Sequence, residues 1–127
     1  MYKEMVISII LVILIIIGDS VTQEYTKNTV NTLTDMLENL EQLVNARSDD
    51  EVEKELNKFE DKWNDVHDKL AYYIEHDELE KVETNFVACK SLALSKEYEQ
   101  ALSEIEKTKF VLDHITDKYS FDLVNIF

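Results

Sequence analysis

Two hydrophobic patterns follow one another along this chain. The first is an almost unbroken apolar run: Met5, Val6, Ile7, Ile9, Ile10, Leu11, Val12, Ile13, Leu14, Ile15, Ile16 and Ile17, interrupted only by Ser8. The second begins near Thr22, where apolar residues recur at alternating steps of three and four. One stretch carries Val30, Leu33, Leu37, Leu40 and Val44, with Met36 and Leu43 widening the stripe. The next carries Val52, Leu56, Phe59, Trp63, Val66, Leu70 and Tyr73, the most regular series in the chain. A third has Leu79, Val82, Phe86, Cys89 and Ala93, and a fourth has Tyr98, Ala101, Ile105, Leu112 and Ile115, with Thr108 at one seam position. This alternation keeps one face of a helix apolar and predicts helices packed in a bundle.

Three polar interruptions predict the turns. Arg47 to Glu51 is the first, with Ser48 and Glu51 spaced as a capping box. The second helix is expected to run to about Glu75, with His76-Asp77-Glu78 as the next turn and Asp77 as a cap. Ser95-Lys96 is the third, and Ser120 is a candidate start for a final turn. Turns this short force successive helices antiparallel. The expected fold is therefore all-α: an up-down antiparallel bundle of about four helices over residues 22–127, its first helix continuous with an apolar segment over residues 1–21.

That segment reads as a membrane anchor. Thirteen residues from Met5 to Ile17 hold no charge, and nine of them are β-branched. In water such a run is a poor helix and an aggregation hazard, whereas in lipid the backbone must satisfy itself and becomes helical. Counting from Met1 to Val21 gives about 31 Å, enough to cross a hydrocarbon core of about 30 Å. A signal peptide cleaved near Gly18-Asp19-Ser20 and a buried core helix are the alternatives. Lys3 and the α-amino group before the run, with Lys27 the nearest cation after it, give a two-charge positive-inside bias, which puts the bundle outside the cytoplasmic membrane.

Composition narrows the classes further. The 127 residues include one Gly and no Pro, where an average chain would have about nine and about six. Loop-rich β folds, glycine-rich phosphate loops and dinucleotide fingerprints are excluded on that ground. A formal net charge of -14 argues against nucleic acid as a partner and against lying on an anionic lipid surface, since both reward positive charge. The single Cys cannot form an intramolecular disulfide.

Candidate chemistry is sparse. Residues 49–83 contain fourteen acids and five lysines, and several pair at helical spacing, as Glu55 does with Lys58. This is the pattern of a solvated helix surface. No histidine is preceded at three residues by Glu, so the di-iron bundle signature is missing. No metal or other cofactor and no catalytic group is expected. Cys89 lies on the seam as a small hydrophobe. The one candidate ligand groove comprises Trp63, Tyr73 and His76. His76-Asp77 matches a phosphohydrolase dyad only by a pair that arises often by chance.

Several positions match a known family. Glu60-Asp61-Lys62-Trp63, then Ile74-Glu75-His76 leading to Glu78-Leu79 and Glu83, Leu92, Ala101-Leu102, His114-Ile115 and the ending Leu123-Val124-Asn125-Ile126-Phe127 carry the likeness. The chain resembles a bacterial family of small uncharacterised proteins, domain-of-unknown-function family four-three-six-three. The resemblance implies a short apolar segment followed by acidic helices, and it brings no activity, ligand or catalytic residue. The expectation is a single-pass, membrane-anchored binding or scaffolding module outside the cytoplasm. Its partners would be the bilayer and either another membrane protein or a second copy of the chain. A ligand-sensing bundle is the competing reading, or a secreted helical protein if the segment is cleaved.

Overall fold

The computed structural model describes residues 1–119; the proposed turn at Ser120 lies outside the described residues. Four helices follow one another: α1 (Tyr2–Asn45), α2 (Asp49–Leu70), α3 (His76–Leu94) and α4 (Tyr98–Tyr119). The described residues contain no strand. The fold is an all-α bundle, and α1 continues without a break from the apolar run into the first bundle helix.

The alternating apolar positions form the core. Leu33, Leu37, Leu40 and Val44 of α1 meet Leu56, Phe59, Trp63 and Val66 of α2, and Val82, Phe86, Cys89, Ile105, Leu112 and Ile115 complete one cluster. Helix α1 lies between α2 and α4, and α4 also packs along α3. Helices α2 and α3 touch along a narrower seam, where the Phe59 and Phe86 rings stand 4.4 Å apart at 31°. Lys90 of α3 pairs with Glu60 of α2 beside these rings. Thr108 fills its seam position fully buried and donates its hydroxyl 2.8 Å to the Glu104 carbonyl, so no polar group is stranded there.

Cross-helix bonds fix which loops share an end. At one end the Tyr98 hydroxyl of α4 donates 2.8 Å to the Asp49 carboxylate at the start of α2. Arg47 covers the Tyr98 ring at 4.2 Å, and Lys96 lies 3.6 Å from Asp49. At the other end the Tyr73 and Thr26 hydroxyls lie 2.5 Å apart, and the Glu75 backbone N–H donates 2.9 Å to the Tyr119 hydroxyl. The apolar run of α1 emerges from this second end.

Both loops of the first end close in the same way without glycine. Arg47 N–H donates to Val44 and Ser48 N–H to Leu43; Lys96 N–H donates to Ala93 and Glu97 N–H to Leu92. These are paired Schellman closures, and they hold Arg47 (φ 54°) and Lys96 (φ 62°) in the left-handed region. A non-glycine residue there costs on the order of 1 kcal/mol.

Four local expectations are corrected. Helix α2 ends at Leu70, five residues before the expected Glu75, because the chain turns through Ala71–Ile74 to bury Ile74. Tyr72, Tyr73 and Ile74 N–H groups donate back to Lys69 and Leu70 carbonyls in that turn. His76 is consequently the first residue of α3 and not part of the loop. Ser48 and Glu75 occupy the N-cap positions of α2 and α3, but neither makes a side-chain cap bond, so the capping box is not formed and Asp77 is not the cap.

Candidate functional site

The feature most in need of a partner is the exposed first half of α1. Residues 1–15 are all exposed, although twelve of the thirteen from Met5 to Ile17 are apolar. Burial starts at Thr26 and continues through Thr29, Val30, Leu33 and Leu37. The twenty-four helical residues before Thr26, 2–25, rise about 36 Å. Helix α1 is the one described helix long and apolar enough to cross a membrane, and none of its apolar window is buried by the other described residues. That exposure removes the buried-core reading of this segment. Gly18 leaves open space around the helix, with nothing within 4 Å of an added Cβ.

The segment satisfies its own polar groups. The Ser8 hydroxyl donates 2.9 Å to the Glu4 carbonyl, and that of Thr22 donates 2.8 Å to Gly18. Gln23 Nε2 donates 2.9 Å to Asp19 Oδ2 where the apolar run gives way to polar sequence. A helix with internally satisfied hydroxyls and an apolar surface suits a solvent that offers no hydrogen bonds.

The proposed groove residues occupy three different environments. Trp63 is buried in the core, its ring edge-on to His67 with centroids 5.5 Å apart. Its Nε1 has no hydrogen-bond partner among the described residues. Tyr73 is half-buried, and its hydroxyl is shared with Thr26; burial, ahead of any other influence, raises its pKa. His76 stands exposed and lies 3.7 Å from Glu80 on the next turn. The hollow beside it is lined by Asp77, Glu80, Lys81, Thr84 and Asn85, and so is built on the surface of α3 alone. Among the described residues no three His, Cys, Asp or Glu side chains gather to hold a metal ion.

Two buried acids escaped the reading of the carboxylates as a solvated surface. Glu55 is 7% exposed and Glu78 is 6% exposed. Both sit at seam spacing, Glu55 three after Val52 and Glu78 four before Val82, and that spacing is the signal that would have found them. Glu78 Oε1 lies 3.8 Å from Lys81, 3.8 Å from Lys118 and 3.9 Å from His114. Glu78 also stands in the first turn of α3, where the helix dipole favours a negative charge.

Cys89 is fully enclosed, and burial pushes its thiol from the ordinary 9.0 up to about 12, with the Glu104 charge adding to the rise. A thiol held neutral in this way is a poor nucleophile. Thiol reagents at pH 8 are expected to leave the folded protein unlabelled and to modify Cys89 on unfolding, as read by mass. The folded pKa lies above the unfolded one, so the thiol's contribution to stability is intact below pH 9.0 and is lost as pH rises toward about 12. Denaturant midpoints are expected to fall more steeply over that range in the parent chain than in a Cys89→Ala variant, the difference reporting the thiol.

A helical bundle carried on a long, exposed apolar helix is the class this architecture defines. The family model described as Domain of unknown function (DUF4363) matches residues 20–126, so it covers the bundle and begins where the apolar run ends. The chain belongs to this family. No curated protein and no solved structure matches it.

Proposed function

We propose that this protein is a single-pass membrane protein whose acidic bundle is displayed outside the cytoplasm as a binding or scaffolding module. The single observation that supports this most is the fully exposed, uncharged stretch of α1, fused as one helix to a packed bundle. Twelve apolar residues at about -0.3 to -0.6 kcal/mol each favour insertion by several kcal/mol. Lys3 ahead of the segment favours the cytoplasm for that end. No metal, cofactor or reaction is assigned, and the reading is a non-enzymatic one.

Cell fractionation combined with mass measurement of the mature chain tests it. Recovery of the unprocessed chain in the membrane fraction is the expected result. A mass lacking the first twenty or so residues in the soluble fraction would mean a secreted helical protein instead. Protease added to intact spheroplasts reports the side: digestion of the bundle is expected, and complete protection would reverse the orientation.

A further inference from the structure

We infer that the loop joining α2 to α3 rests in the lipid headgroup layer, with Tyr72 as its interfacial anchor, so that the bundle is held upright against the bilayer. This inference rests on the membrane reading and adds a second point of contact to it.

Tyrosine placement is the first observation. Of the six tyrosines, Tyr2 stands at one end of the apolar run, and Tyr25, Tyr72, Tyr73 and Tyr119 stand at the other. The bonds of Tyr73 to Thr26 and of Glu75 to Tyr119 bring those four to one end of the bundle. Only Tyr98 lies at the opposite end, where it is engaged by Asp49 and Arg47. Tyrosine is enriched at both faces of a membrane because its ring is apolar and its hydroxyl wet.

Loop chemistry is the second. The two loops of the far end carry Arg47 in one case, with Asp49 opening the helix that follows, and Lys96 and Glu97 in the other. The α2–α3 loop, residues 71–75, is uncharged through Ala71-Tyr72-Tyr73-Ile74 and has its one acid, Glu75, at the α3 end, where it pairs with Lys118 at 3.4 Å. Tyr73 and Ile74 turn inward, and Tyr72 is left 89% exposed at the tip.

Distance is the third. Thr26, against which this loop is bonded, lies five residues past Val21, or about 8 Å along the helix axis. The headgroup layer extends about 5–8 Å beyond the hydrocarbon core. The loop is thus at headgroup depth when Val21 marks the hydrocarbon edge.

Reconstitution of the full chain in phosphatidylcholine vesicles decides the matter. With Trp63→Phe as background, Tyr72→Trp reports from the loop and Leu94→Trp from the opposite end. Lipids brominated high on the acyl chain are expected to quench the indole at position 72 by roughly twofold and to leave that at position 94 unchanged. Should Trp63→Phe disturb folding by circular dichroism, a nitroxide on Tyr72→Cys gives a second readout, since buried Cys89 stays unlabelled. Greater collision with oxygen than with an aqueous nickel chelate at 72, and the reverse at a label on Leu94→Cys, supports the inference. Equal water access at the two sites in chains that float with the vesicles overturns it and leaves the anchor intact. Chains that fail to float overturn both. A position 72 that is exposed in pure lipid but shielded in native membranes assigns the loop to a protein neighbour and also overturns it.

Discussion

Replacing Ile10 and Ile13 with aspartate is expected to move the chain out of the membrane fraction. Each substitution exchanges an apolar residue worth about -0.5 kcal/mol for an acid costing about 2.5–3.5 kcal/mol near the centre of the helix. Two of them cost about 6–8 kcal/mol, which matches or exceeds the several kcal/mol that the whole segment gains by insertion. Both positions are exposed in the structure and touch no part of the core, so the bundle should melt as before. Vesicle flotation measures the first effect and circular dichroism the second. An unchanged membrane fraction would mean that something other than this segment holds the protein to the bilayer. A collapse of the helical signal would mean that the segment belongs to the folded core.

Phe59→Ala is expected to produce the largest loss of stability from a single side chain. Phe59 is 1% exposed and stacks on Phe86 across α2 and α3, the pair of neighbouring helices with the narrowest shared surface. Truncating a buried Phe costs about 3–5 kcal/mol, the sum of lost transfer energy and the cavity left behind. For a bundle of this size each kcal/mol lowers Tm by about 4–8 °C, so a fall of more than about 12 °C is expected in thermal melts of the detergent-solubilised chain. Tyr72→Ala, at an exposed position with no core contact, should shift Tm by no more than a few degrees. If the two variants melted alike, the Phe59–Phe86 contact would not be what closes the α2–α3 seam.

These two experiments separate the halves of the molecule, as the sequence does. In residues 5–17 the solvent for the helix is set by composition alone, because an uncharged β-branched run has no aqueous face. In the bundle it is set by position, because one side of each helix must face water.

Much of this protein is legible in its sequence because its helices are long and regular. A seam that repeats in steps of three and four admits one burial pattern, so spacing alone makes Leu33, Leu56, Phe59, Val82, Cys89 and Ile105 core positions, and all six are buried. The absence of Pro and near absence of Gly leave little besides helices and tight loops. Family membership agrees with the likeness carried by Glu60 to Trp63 and Ile74 to His76. The candidate groove was less legible: Trp63, Tyr73 and His76 share a sequence region, yet burial, a hydroxyl contact and a surface ion pair place them in separate surroundings.

What only the tertiary structure decided are the places where a local rule had a competitor. Periodicity carried α2 to Glu75, but the helix stops at Leu70 and the next four residues turn so that Ile74 is buried and Tyr73 packs against the core. Ser48 and Glu51 have the spacing of a capping box, which states that a bond is available and not that it forms. Charge count made Glu55 and Glu78 surface residues, and the neighbouring helices cover them. The grouping of Tyr25, Tyr72, Tyr73 and Tyr119 at the end where the apolar helix emerges is a long-range fact of the same kind. Sequence spacing determines which face of a helix is apolar; which residues from distant segments share an end depends on how the loops return the chain.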